Sequence, residues 1–254
     1  MGVGYLIGCL FSILLWRIDR QIIYYKMDLL IKKFFKNKYI LFLFHILMLL
    51  FICFIIKFIP KEELLNFITS FLVIDISNNE RKNLKKREKV HFYDSISTIS
   101  QCVVCGFIAP LLYILISGNT LALIYTYIYN LNLNNESNKL KFVFNTLTII
   151  PSIIAEVFLY LIYIIRNKKF TINFRGDFLV NLYKNPLLNV DILAAYIESV
   201  NFYYYFNADN TSYLKSYGQY SKKIDAHSIK DYLSITYSIC MITFLLFFSI
   251  IRIK

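Results

Sequence analysis

The sequence predicts an all-α polytopic integral membrane protein. It would have about four to six transmembrane or re-entrant helices and an amphipathic helix on the membrane surface. Three observations predict this. Of the 254 residues, 57% are hydrophobic and 17% charged. Several apolar runs approach the roughly 20 residues a helix needs to cross hydrocarbon. The lysines and arginines gather in short stretches beside those runs, where topology and anionic headgroups use them.

The first apolar stretch, Gly2 to Trp16, closes on Trp16 and Arg17, an aromatic and a cation suited to an interface. It has no basic leading segment and no small-residue cleavage site, so it reads as a retained helix. Arg17 to Lys38 is basic. Within it, Ile22 to Phe35 mixes Ile, Leu, Met and Phe with Lys26, Asp28, Lys32 and Lys33, the pattern of a surface helix. Tyr39 to Ile59 is the clearest span. It contains His45, read as a helix-packing hydrogen-bond group, and ends near Lys57, which can snorkel. Pro60 to Glu63 is a turn, and Leu64 to Ile76 is either a thin third span or a re-entrant piece. Arg81 to Lys89 is a basic loop. If Leu64 to Ile76 crosses, this loop and Arg17 to Lys38 share a side, which the positive-inside rule makes cytoplasmic.

Ile99 to Leu131 reads as two apolar pieces hinged at Ser117-Gly118-Asn119, and Asn130 to Lys141 as a polar loop. Phe142 to Ile165 is another span, with Pro151 and Glu156 inside it. Arg166 to Asp231 is the longest polar region. It includes the weakly hydrophobic Val190 to Phe206, whose aromatic run Phe202 to Phe206 reads as an interfacial belt. Tyr232 to Ile251 is the last span. The organisation is one membrane domain over 1–254: N-terminal spans in 1–76, a basic loop in 77–98, central spans in 99–165, a polar region in 166–231 and a C-terminal span in 232–254.

The net charge is +12, but no nucleic-acid motif accompanies it, so the expected partner is the lipid bilayer and not nucleic acid. All five cysteines lie in apolar segments, the placement of buried thiols. Cys102-x-x-Cys105 has redox or metal spacing. It lacks a second such pair and a neighbouring His pair, and reads as structural.

The most informative segment is Ile99 to Tyr113, which carries Gly106 and Pro110 in bilayer-compatible surroundings. Pro110 has no N–H, so the carbonyl one turn back loses its helical partner. In hydrocarbon that carbonyl must be satisfied by a neighbouring helix, a polar side chain or water. The segment therefore predicts a broken or closely packed helix, either a packing kink or a place where a site is built.

Ser100-Gln101-Cys102-Val103-Val104-Cys105-Gly106-Phe107-Ile108-Ala109-Pro110-Leu111 resembles a block of the membrane family that joins the CobD/CbiB cobalamin-biosynthesis amide synthases with AmpE. The synthases carry Ser-Glu-Asn-Thr-x-Asp-Gly-x-Ile-Ala-Pro-Leu. The Gly and Ala-Pro-Leu are kept, while Gln101 and Cys105 stand where the synthases have carboxylates. Pro151 matches a family proline, with Ile153 in place of an Arg, and Asn185-Pro186-Leu187-Leu188-Asn189-Val190-Asp191 is similar to a His-Pro-Ser-Pro-Asn-x-Gly block. Asn130 is what remains of an Asn-Thr-x-Asp block. The synthases' Gly-Asp-Pro motif after the first span is absent. The run from Leu15-Trp-Arg through Met27-Asp28 to Phe34-Phe35 looks like the AmpE branch.

The candidate pocket is drawn from Gly106, Pro110, Asn130, Glu156, Asn189 and Asp191, with Asn189 and Asp191 placed beside the Gly106 region by the resemblance alone and Glu156 added as an ionisable group inside a span. An amide synthase must neutralise nucleotide phosphates, usually with a metal held on carboxylates. Those acids are missing, and Cys and Gln are poor ligands for a hard cation. No catalytic residue, metal ligand or cofactor is therefore assigned. Glu156, an ionisable group inside a span, reads equally as a proton-sensitive or ligand-contacting group and as a neutral packing group. The implied function is that of a non-catalytic, multi-pass protein of the bacterial inner membrane. It would act in envelope signalling linked to β-lactamase induction, with a membrane or envelope protein partner and an unidentified small-molecule ligand. The rivals are a diverged adenosylcobinamide-phosphate synthase and a small-molecule transporter.

Overall fold

Two adjacent twelve-residue helices, short by membrane standards, set the architecture of the N-terminal region. The structure is a computed structural model that describes residues 2–15, 17–18, 20–34, 38–57, 61–76, 92–134, 138–208, 211–218 and 226–253. Trp16, Pro60 and the predicted basic loop Arg81–Lys89 lie outside the described residues. In order come α1 (Val3–Leu14), α2 (Gln21–Phe34), α3 (Lys38–Lys57), α4 (Glu62–Val73) and α5 (Phe92–Val103). A π turn (Val104–Ile108) leads into α6 (Ala109–Ser117), followed by α7 (Asn119–Asn134), α8 (Asn138–Asn167), α9 (Phe178–Lys184) and α10 (Pro186–Ile197). A hairpin of β1 (Asn201–Ala208) and β2 (Thr211–Gly218) precedes α11 (Ala226–Ile253). The chain divides into two units, one of 1–79, 105–144 and 243–254, the other of 80–104 and 145–242.

In the first unit α1 and α4 run side by side in the same direction. Their contact is made by small residues one turn apart: Gly4, Gly8 and Ser12. A Cβ on Gly8 would lie 1.9 Å from Ser70 Oγ, and one on Gly4 would lie 2.2 Å from the Glu63 carbonyl. Close backbone approach of this kind is how helices associate where water supplies no driving force. The Glu63 carboxylate caps α1, accepting the N–H groups of Gly2 (2.8 Å) and Gly4 (2.6 Å). These two bonds, Gly4's first, hold its carboxyl below the usual range. Tyr5 Oη donates to Asn119 Oδ1 (2.9 Å) and Asn119 Nδ2 to Asn66 Oδ1 (2.6 Å), which ties both helices to the α6–α7 corner. That corner turns at Gly118, with φ +75°, the hinge the sequence predicts.

α2 forms where the surface helix was expected, with Ile22, Ile23, Leu29, Leu30 and Phe34 exposed. Its buried face instead carries Asp28, which pairs with Lys32 (2.6 Å) and lies 3.7 Å from His45 Nε2. His45 Nδ1 in turn bonds Tyr127 Oη on α7 at 2.8 Å, the packing role expected of it.

In the second unit every residue of α10 except Leu187 is buried. Asn181 Nδ2 donates to Asn189 Oδ1, and Asn189 Nδ2 to the Phe178 carbonyl, both at 3.1 Å, joining α9 to α10. Arg166, near the end of α8, reaches Glu198 (3.2 Å) just past α10 and Asp231 (2.6 Å) early in α11. The hairpin is clamped by Asp177, whose carboxylate accepts from Lys215 Nζ and from Tyr217 Oη (2.7 Å).

Phe202 to Phe206, read as an interfacial belt, forms part of strand β1 and pairs with residues 213–217 of β2. Two expectations change. The predicted loop Asn130–Lys141 is mostly helix, since α7 runs to Asn134 and α8 starts at Asn138. α4 is about 18 Å long, short of the ~30 Å of hydrocarbon, so by itself it does not cross.

Among the described residues, three helices are long and apolar enough to cross a membrane: Ser95–Ser117, Lys139–Asn167 and His227–Ile253. The most apolar window of the first is 78% buried and that of the last only 22%, so the first is largely covered by other side chains and the last leaves most of its apolar side chains uncovered.

Replacing Gly8 with Val should force α1 off α4. The expected cost is about 1–3 kcal/mol, read as a lower melting temperature of the detergent-solubilised protein. The hairpin clamp should be pH-sensitive. Partial burial raises the Asp177 carboxyl, but its bonds to Lys215 and Tyr217 outweigh this and leave it below its ordinary 3.8. A depressed carboxyl stabilises the fold above its unfolded value and loses that contribution as pH falls through the folded one. Amide exchange in β2 should therefore speed up as pH drops below that of an ordinary Asp, after correction for intrinsic rates. In the Asp177→Asn protein it should not.

Candidate functional site

Pro110 cannot supply an N–H to the carbonyl of Gly106, four residues back. The helix does not break there. It widens into the π turn Val104–Ile108, and the freed Gly106 carbonyl accepts the backbone N–H of Asp75 at 3.2 Å. Asp75 follows α4, so a second chain segment satisfies the carbonyl that the proline orphaned. Gly106 is the midpoint of the 23-residue helix Ser95–Ser117.

The Asp75 carboxylate is answered by Arg20, whose Nη2 lies 3.2 Å from Oδ1; both side chains are more than nine-tenths buried. The same guanidinium donates to Ser12 Oγ (2.7 Å) and to the carbonyls of Ile74 (2.9 Å), Phe71 and Ser12 (3.4 Å). Its face lies 4.9 Å from the centre of the Phe71 ring. Arg20 thus serves the C-terminal ends of α1 and α4 together, where unsatisfied carbonyls and the negative end of the helix dipole favour a cation. Desolvating a guanidinium and a carboxylate is expensive, and these carbonyl bonds offset the cost.

Around this pair is a cavity lined by Arg20, Gln21, Tyr24, Asp75, Gly106 and Asn130, among others. It leaves about 10 Å³ to the centre of a water molecule, room for about one water. Asn130 also donates through Nδ2 to the Thr126 carbonyl of its own helix (2.8 Å).

Of the residues the sequence picked out, Gly106 and Asn130 therefore share a cavity, and Pro110 is buried one turn further along. Glu156, Asn189 and Asp191 belong to the second unit. Glu156 is 6% exposed, and its Oε1 has no hydrogen-bond partner among the described residues. Asn189 is spent on the α9–α10 contact. Asp191 accepts hydrogen bonds from Ser97 and Ser100 of α5. Cys105, at a synthase acid position, is 1% exposed. Among the described residues no group of three or more His, Cys, Asp or Glu side chains converges.

Sequence reasoning missed Arg20, Asp75 and the Gly4/Gly8 face. Two signals were present: an acid at the end of the apolar run Leu64–Ile76, and two glycines four apart at the start of the first helix. No family model, curated protein or solved structure matches this chain.

Replacing Arg20 with Ala should leave the Asp75 charge buried without its guanidinium, at a cost of about 3–5 kcal/mol. Arg20→Met combined with Asp75→Leu should recover much of that loss in a thermal melt. If the double variant is as unstable as Arg20→Ala, the pair is not what couples these segments.

Proposed function

We propose that the chain is a non-catalytic, multi-pass protein of the bacterial inner membrane that works as a binding or signalling component through its Gly106 pocket. The observation that carries this reading is the Arg20–Asp75 pair beside the midpoint of an apolar helix of membrane length. An ionisable pair held at that depth is costly and marks a functional place in a membrane protein. The pocket's dimensions also count against amide synthesis. That reaction must hold a nucleotide-activated carboxylate and an amine together, and this cavity admits about one water.

The place of the protein in envelope signalling tied to β-lactamase induction rests on the sequence resemblance to AmpE. In a host with the inducible system, deletion should alter induced β-lactamase levels. The intact gene should restore them and the Arg20→Ala/Asp75→Ala gene should not. Unchanged induction on deletion would sink the modulator role, and rescue of a synthase-deficient strain would sink the non-catalytic one.

One observation favours transport as a second reading: two half-length helices end at a charged pocket, the arrangement of interrupted helices in carriers. Solute uptake by proteoliposomes that is lost in Glu156→Gln would move that reading to the front.

A further inference from the structure

In the first unit α2, α3 and α7 meet around a carboxylate with two competing partners. Asp28 of α2 is buried, and its Oδ2 lies 2.6 Å from Lys32 Nζ one turn on. Its Oδ1 faces His45 Nε2 of α3 across 3.7 Å, too far for a hydrogen bond. The other ring nitrogen of His45, Nδ1, is 2.8 Å from Tyr127 Oη of α7. His45 Nε2 is buried and has no hydrogen-bond partner among the described residues. A bare Nε2 lone pair would repel the carboxylate oxygen. The contacts therefore assign the proton of the neutral ring to Nε2, with Nδ1 accepting from the Tyr127 hydroxyl. A buried N–H left just short of an acceptor is costly. A second proton on the ring would complete the arrangement.

We propose that Asp28, Lys32 and His45 form a pH-operated clasp, in which a proton taken up by His45 transfers Asp28 from Lys32 to the imidazolium. A hydronium gives its proton to the ring, leaving water and an imidazolium, and no other covalent bond changes. Both ring nitrogens then donate. Nδ1 donates to Tyr127 Oη, whose own proton turns away. Nε2 closes on Asp28 Oδ1 to about 2.8 Å, the length of a charge-assisted bond. Lys32 is the partner able to leave. Its side chain is 35% exposed, against 5% for His45, and two cations beside one carboxylate repel each other.

The titratable groups facing the ring come from α2 and α7, which pack on α3. They are Asp28 and Lys32 of α2 and Tyr127 of α7, with Tyr24 of α2 behind Tyr127, ring centres 6.2 Å apart. By charge, Asp28 favours the protonated ring and Lys32 opposes it. The same helix α2 places Gln21 and Tyr24 in the wall of the Gly106 cavity. The clasp thus holds one wall of that cavity, and it does not depend on what the cavity binds.

The test is solid-state NMR of the full chain in liposomes, with labelled histidine and lysine nitrogens and aspartate carbons. The sample is titrated from about pH 8 to about pH 5, where an imidazole changes its charge. The chain has three histidines, and His45→Gln and Asp28→Asn identify the two signals by their loss. As pH falls, His45 should become an imidazolium. Its Nε2 should then move toward the Asp28 carboxyl carbon, and Lys32 Nζ should move away from that carbon. In Asp28→Asn the ring should charge at a pH lower by about one unit. Lys32→Met removes the competing cation, so there the ring should charge at higher pH. The proposal is overturned if His45 stays neutral throughout, or if Lys32 keeps its distance from Asp28 once the ring is charged. It is also overturned if Lys32→Met titrates where the parent does, a result that leaves the buried Asp28 and His45 in place.

Discussion

The carbonyl of Gly106 is the constraint from which the N-terminal unit follows. Pro110 denies it a helical partner, and a buried carbonyl left alone is worth the full desolvation penalty of the group. The Asp75 N–H meets that demand. To bring a backbone N–H to a helix wall, α4 must stop short, because within a helix that N–H would be spent internally. Stopping short exposes the carbonyls of α4's last turn, and Arg20 takes them up. A guanidinium brought into such a place needs a counter-charge, and Asp75 supplies it with its side chain while its backbone serves Gly106. One missing N–H thus accounts for the π turn, the short helix and the buried ion pair.

The parallel contact of α1 with α4 answers the same demand by other means. Arg20 reaches both helix ends because Gly4 and Gly8 let the two backbones come close. Larger side chains there would separate the ends beyond the span of one guanidinium. Glu63 does at the start of α1 what Arg20 does at its end, matching an acid to N–H groups and a cation to carbonyls. The polar groups in this unit therefore gather where helices end, and the Gly106 cavity is built among them.

The second unit solves its polar groups differently. Asn181, Asn189, Ser97, Ser100 and Tyr232 bond across helices, side chain to side chain or to carbonyls, and tie α5, α9, α10 and α11 into one body. Within that body Asp191 is the acid whose burial is balanced by hydroxyls and not by a cation.

The sequence by itself determined the helical class, the long apolar helices, the corner at Gly118 and the need for a partner at Gly106. These follow from composition and from the chemistry of one proline and one glycine, which are local. It did not determine who that partner is. Asp75 and Arg20 meet only because α1 and α4 end at one level, and that level is set by packing between segments about 60 residues apart in the chain. The strand pairing of Phe202 to Phe206 was likewise invisible, because an aromatic run fits an interface or a sheet equally well until a partner strand is present. Gly106 and Asn130 line one cavity. Which residues would charge their cavity was decided by tertiary structure, since burying an ion requires partners that only the assembled helices bring within reach.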